Sequence, residues 1–189
     1  MKNIYIIGDV HGCYKSLLAL IEQFPNKQNS KIIFVGDLID RGANSCEVIE
    51  FIINNNYDCV MGNHEELFLE YAPNKDEFGN DFSMEYSPYY FERCGGKATI
   101  ESYKSKEVYS KHYDFIQNLP LYLEYKDYKT PDDRYLVVSH STVGKMWNLR
   151  NSTNKDDVEE FNEFVNWSRW KNHDNEEIFN VYGHTIFQE

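Results

Sequence analysis

The sequence predicts an α/β fold built on parallel strands. Short apolar runs at residues 4–7, 31–35 and 58–61 alternate with stretches whose apolar residues recur at helical spacing. Each run ends in a glycine-led turn: Gly8-Asp9-Val10-His11-Gly12, Gly36-Asp37-Leu38-Ile39-Asp40-Arg41-Gly42 and Gly62-Asn63-His64-Glu65. The resulting order, β-α-β-α-β-α, implies parallel strands with right-handed crossovers. The carboxyl ends of such strands are where α/β proteins bind ligands.

The elements follow in order. Residues 3–8 read as the first strand. Leu17, Leu20, Ile21 and Phe24 then mark a helix over about 14–24, ended by Pro25 and a polar run. Residues 31–35 form the second strand. A helix over about 45–54 carries Val48/Ile52 and Ile49/Ile53 as i,i+4 pairs, and Asn54-Asn55-Asn56 stops it. Residues 58–61 are the third strand, and a third helix begins near His64 with Leu67 and Tyr71 inward. Residues 73–118 lack strand character and read as a mostly helical insertion into a single domain spanning 1–189. Residues 119–124 and 134–139 are expected to be strands that resume the sheet. A helix over 156–170 presents Val158, Phe161, Phe164 and Val165, and 178–182 is the last strand.

Composition excludes several classes. The chain has 189 residues, enough for one sizeable core. Apolar residues make up 41% and aromatics 16%, so the chain is globular. A net charge of −12 disfavours binding to a nucleic-acid backbone, which depends on Lys and Arg. Cys13, Cys46, Cys59 and Cys94 make no Cys-x-x-Cys pair, and they read as reduced thiols of a cytoplasmic protein. The apolar run before Gly8 is too short for a signal peptide, and no stretch is long enough to cross a membrane.

The turns carry the chemistry. Asp9 and His11 are two apart, so in extended chain they point to one side and can grip one divalent ion. The two oxygens of Asp37 can bridge two ions. Asn63 adds a neutral oxygen, and His140 and His184 again follow strands. Such oxygen and nitrogen ligands suit Mn, Fe, Zn or Ni. Two ions can activate a water for attack on phosphorus. His64 is the natural proton donor to the leaving group, with Asp40 on its other ring nitrogen. Arg41 can hold phosphate oxygens through a bidentate fork. Each piece alone has a plain structural reading: a turn, an ion pair, a helix cap. Their order gives them weight. His112 and His173 read as structural. Tyr86, Tyr89, Tyr90 and Phe91 read as packing residues rather than as a substrate groove.

The order Gly-Asp-x-His-Gly, Gly-Asp-x-x-Asp-Arg-Gly, Gly-Asn-His-Glu resembles the calcineurin-like metallophosphoesterases. The variants here, with Gly12-Cys13-Tyr14, Gly95-Gly96-Lys97-Ala98-Thr99 and Gly183-His184-Thr185, look most like the bacteriophage-lambda-type, bacterial serine/threonine phosphatases. The resemblance implies a four-layer αββα sandwich with two mixed sheets and the metals at one rim. It implies Asp9, His11 and Asp37 on one metal and Asp37, Asn63, His140 and His184 on the other, with Mn favoured. It makes His64 the general acid with Asp40 as partner, and Arg41 a phosphate ligand. Arg169 is preferred as the second phosphate-binding arginine, with Arg150 as rival. The implied activity is hydrolysis of phosphoserine or phosphothreonine in proteins. The alternatives are a symmetrical dinucleoside tetraphosphate hydrolase and an inactive metal-binding scaffold; intact His64, Asp40 and Arg41 argue against the scaffold.

Three departures stand out. His140-Ser141-Thr142 replaces the usual His-Ala-Gly, so the loop beside the second metal is expected to sit differently. Ala43 stands where Pro is common. The family continues past Gly-His-Thr with further strands, whereas this chain stops, so a short or truncated product with an unpaired sheet edge is expected.

Overall fold

A computed structural model of the chain describes residues 3–78, 87–170 and 175–186. The first sheet holds β1 (Ile4–Ile7), β2 (Lys31–Phe34) and β3 (Asp58–Cys59) in that order. All pairings are parallel, with Ile4 opposite Lys31 and Ile33 opposite Asp58. Between them run α1 (Tyr14–Glu22) and α2 (Ser45–Asn55), and α3 (Asn63–Tyr71) follows β3. Leu17/Ile21 in α1 and Val48/Ile52 in α2 are buried pairs one helical turn apart, which sets each inward face.

Residues 119–139 do not resume this sheet. β4 (Tyr122–Lys129), β5 (Tyr135–Ser139) and β6 (Ile178–Val181) make a second one, β4-β5 antiparallel and β5-β6 parallel. The period-2 pattern of the strands explains why. Ile4, Ile6, Ile33 and Val35 project from the face of the first sheet opposite to Ile7, Ile32 and Phe34. That second face needs an apolar cover, and Leu123, Leu136, Val138 and Val181 supply it. Full burial of one such side chain contributes about 1.5–3 kcal/mol. The first face packs on α1, α2, α3 and α5, while Tyr135, Val137 and Ile178 turn away to Trp147, Phe161 and Val165. The order is helices, sheet, sheet, helix, as the resemblance implied, although the first sheet is parallel throughout and only the second is mixed.

Other boundaries differ from the sequence reading. β4 starts and ends later than expected, with a register shift between Tyr125 and Lys129. α6 (Lys155–Trp167) stops three residues early, where Ser168 is extended. Gly144–Asn151 forms an unanticipated run of 3-10 turns. The stretch between α3 and β4 holds a π-helical turn (Tyr89–Cys94), α4 (Gly96–Ser102) and α5 (Lys106–Gln117). His112 on α5 is buried and ties α5 to α2, its Nε2 2.6 Å from Glu50 Oε2 and its Nδ1 3.1 Å from the Tyr103 hydroxyl. Tyr86 and His173 lie outside the described residues. No described helix is long and apolar enough to cross a membrane.

Candidate active site

The first two turns are stitched together by backbone. Val10 and His11 both donate to Asp37 O at 2.9 Å, and Gly12 donates to Leu38 O at 2.8 Å. Gly36 lies at φ +89°, and a Cβ there would sit 2.5 Å from Gly62 N, so only glycine lets the second and third turns meet. Positive φ recurs at His11 (48°), Asp37 (49°), Asp40 (69°), Arg41 (65°) and His184 (61°). For residues with a Cβ such a conformation costs about 1–3 kcal/mol each and persists only where surrounding structure enforces it. That strain concentrates on the residues the sequence singled out.

The Asp37 carboxylate is the centre. Its Oδ2 lies 3.7 Å from His11 Nε2, and its Oδ1 lies 3.4 Å from His140 Nε2. Two ligand groups converge on it, His11/Asp37/His64 and Asp37/His140/His184, with donor atoms within 4.8 Å of one another in each. Asn63 Oδ1 lies 2.9 Å from His140 Nε2. Asp9 is outside both groups; its Oδ1 accepts from His184 N at 3.2 Å.

The donor set fits a cation. His140 Nδ1 faces Val35 O at 2.8 Å, and His11 Nδ1 faces Ile39 O at 3.0 Å. A carbonyl only accepts, so these Nδ1 atoms carry the ring protons. Burial drops His11 to about 4 and also lowers His140, so both rings are neutral and both Nε2 atoms are lone pairs. Burial likewise drops His184 to about 4. Its Nδ1 lies 3.1 Å from His140 Nε2, and its Nε2 is buried without a partner. One proton on His184 therefore cannot satisfy both of its nitrogens. Burial also pushes Asp37 up to about 7. Lone pairs held neutral against a buried carboxylate are what a divalent ion satisfies.

His64 sits beside this cluster. Its Nδ1 donates to Asp40 Oδ2 at 2.7 Å, and its Nε2 is 4.0 Å from Asp37 Oδ2. Burial opposes the imidazolium, but the bond to Asp40 and the charges of Asp37, Asp40 and Glu65 outweigh it, raising His64 above its ordinary value. Arg41 Nη2 lies 3.1 Å from His64 Nε2. Arg169 is exposed, with Nη1 3.4 Å from His184 O. Arg150 is occupied elsewhere: it stacks over Trp147 at 4.0 Å, donates to Trp147 O at 2.8 Å and pairs with Glu177 at 3.7 Å.

Several positioning residues were not anticipated. Glu65 is fully buried; its Oε2 accepts from Asp37 N at 2.8 Å and Gly62 N at 2.9 Å, and its Oε1 from Leu38 N at 2.8 Å. Its signal in the sequence was its place as the last residue of the third turn, Gly62-Asn63-His64-Glu65. Glu66 Oε2 accepts from Asn166 Nδ2 at 3.0 Å and Trp167 Nε1 at 2.8 Å, fixing the end of α6 just before Arg169. Ser141 accommodates its larger side chain by donating from Oγ to Ser168 O.

A model of the calcineurin-like phosphoesterases matches residues 2–187. The chain belongs to that family. Over 78 residues it is 41% identical to a symmetrical bis(5'-nucleosyl)-tetraphosphatase of Buchnera aphidicola, covering 39% of this chain and 28% of that protein. Over 71 residues it is 46% identical to the protein of the same name from Coxiella burnetii, covering 36% and 24%. The matched stretch spans about a quarter of the length of these curated relatives. A crystal structure of a metallophosphoesterase from Sphaerobacter thermophilus shares the fold, with TM-score 0.50 at 20% identity over 75% of this chain and 47% of that one. The family assignment agrees with the sequence reading. The comparisons back the alternative better than the preferred protein-phosphatase branch: these relatives carry the name of the tetraphosphate hydrolase.

Proposed function

We propose that this calcineurin-like phosphoesterase is a metal-dependent hydrolase that cleaves dinucleoside tetraphosphates symmetrically. The observation that carries the chemistry is the Asp37 carboxylate, with one oxygen towards His11 and the other towards His140. The substrate reading is supported by the names of the relatives.

Asp9, His11 and Asp37 would hold one divalent ion, and Asp37, Asn63, His140 and His184 the other, with Mn the first to test. When bound, such a pair neutralises phosphate charge and activates a water. The residues of the chain do the rest. Arg41 and Arg169 hold phosphate oxygens from two sides of the cluster. The raised pKa of His64 keeps a proton available for the leaving oxygen, and Asp40 orients the ring that delivers it. Protonated His64 and Arg41 cannot both donate across their 3.1 Å contact. The proton on Nε2 therefore releases Arg41 towards phosphate.

The test is a side-by-side assay of the Mn-loaded chain with diadenosine tetraphosphate and a phosphoserine peptide. Addition of water across the central anhydride gives two molecules of ADP. ADP as sole nucleotide product is the expected result. ATP with AMP would overturn the symmetrical reading. Turnover of the peptide alone would restore the phosphoprotein reading.

A further inference from the structure

Asp40 is fully buried, and its Oδ2 is committed to His64. Its Oδ1 is held from outside the β-α-β core. Thr99 Oγ1 donates to it at 2.7 Å, and the Tyr90 hydroxyl donates at 3.2 Å. Thr99 Oγ1 also accepts from Asp40 N at 2.8 Å. The single hydroxyl proton of Thr99 goes to Asp40, so Ser45, 3.1 Å from Thr99 Oγ1, must be the donor of that pair. Ser45 Oγ accepts from Asp40 N at 3.2 Å, closing the ring of bonds.

Tyr90 and Thr99 are both fully buried. Both hydroxyls meet at Asp40 Oδ1. The Tyr90 ring lies against Gly96, where a Cβ would come within 2.3 Å of it. Arg41 N donates to Gly95 O at 3.3 Å. The π-helical turn and α4 therefore contact both Asp40 and Arg41, and neither residue is oriented by its own turn alone. A carboxylate rotates broadly about its last torsion. Two donors on Oδ1 remove that freedom and leave Oδ2 on His64 Nδ1.

We propose that Thr99 and Tyr90 are positioning residues for the Asp40–His64 pair, so that the helical stretch between α3 and β4 tunes proton delivery. This rests on the reading of His64 as general acid. Loss of such a supporting hydrogen bond lowers activity by about 10–100-fold. The loss falls on substrates whose leaving group needs a proton.

The test uses the full Mn-loaded chain with Thr99→Val, Thr99→Ser and Tyr90→Phe. Substrates are O-phosphoserine, an alkyl ester, and p-nitrophenyl phosphate, an aryl ester. In Thr99→Val, kcat on the alkyl ester should fall about 10–100-fold. The aryl ester should lose less, bound Mn should not change, and Thr99→Ser should restore the rate. Tyr90→Phe should show the same ordering more weakly, because its bond is longer. Equal losses on both esters, or no rescue by serine, would overturn the proposal. A second readout needs no turnover and uses the metal-free chain, because paramagnetic Mn would broaden protons beside it: the downfield proton NMR signal of His64 Nδ1–H, assigned by its loss in His64→Asn. It should move upfield or broaden in Thr99→Val and persist in Thr99→Ser. An absent or unmoved signal overturns the positioning role. If the wild type cleaves neither ester, the NMR signal alone decides this proposal, and the hydrolase reading is decided separately on diadenosine tetraphosphate.

Discussion

Replacing Glu65 with glutamine tests how the second turn is held. Glu65 Oε2 serves Asp37 N at 2.8 Å and Gly62 N at 2.9 Å, while Oε1 serves Leu38 N at 2.8 Å and Ile39 N at 3.3 Å. A glutamine amide replaces one oxygen with a donor. Whichever way it is turned, one pair of buried N–H groups faces an NH2. Each unanswered buried amide costs about 1–3 kcal/mol, so the pair costs about 2–6 kcal/mol. Against a total of about 5–15 kcal/mol that is a large fraction. Asp37 depends on the same bonds for its left-handed backbone, φ 49°. Glu65→Gln should therefore lose about 2–6 kcal/mol in urea unfolding without metal and bind Mn more weakly by calorimetry. A loss below about 1 kcal/mol together with unchanged Mn affinity would refute the argument.

Other outcomes follow from the same geometry. The wild type loaded with Mn should carry two ions by elemental analysis and Asp37→Asn fewer; at most one ion in both would remove the bridging role of Asp37. His64→Asn should keep its metal but lose about 10²–10⁴-fold in kcat on alkyl phosphates and less on aryl phosphates; equal losses would contradict the general-acid role. Burial holds apo Asp37 up to about 7 and His11 and His184 down to about 4, so between those values the carboxyl carries a proton and the imidazoles do not. Mn binding near pH ~6 should release about one proton, falling towards none as pH rises past the Asp37 value. Calorimetry in two buffers of different ionisation enthalpy measures that number, and zero release would show Asp37 already ionised. Arg169→Ala should raise KM with little change in Tm, whereas Arg150→Ala should lower Tm through its lost stack on Trp147; the reverse pattern would exchange their roles.

Local pattern determined much of this protein. Helical spacing placed α1, α2 and α3 within a residue or two, because amphipathic period is written along the chain. Two-residue spacing put Asp9 and His11 on one turn, and the glycines before Asp9, Asp37 and Asn63 marked the strand ends. Tertiary structure decided what depended on partners distant in sequence. The chain pattern at 119–139 reads as strand whichever sheet it joins; the apolar face of Ile33 and Val35, which the helices leave uncovered, assigned it to a second sheet. Arg150 and Arg169 both follow a tryptophan, and only packing stacked the first on Trp147 and left the second beside His184. Thr99 lies 59 residues from Asp40 and Tyr90 lies 50, so no periodicity could connect them. Their hydroxyls acquire a role only when the chain folds an acceptor against them, since a buried carboxylate must find donors wherever the fold supplies them.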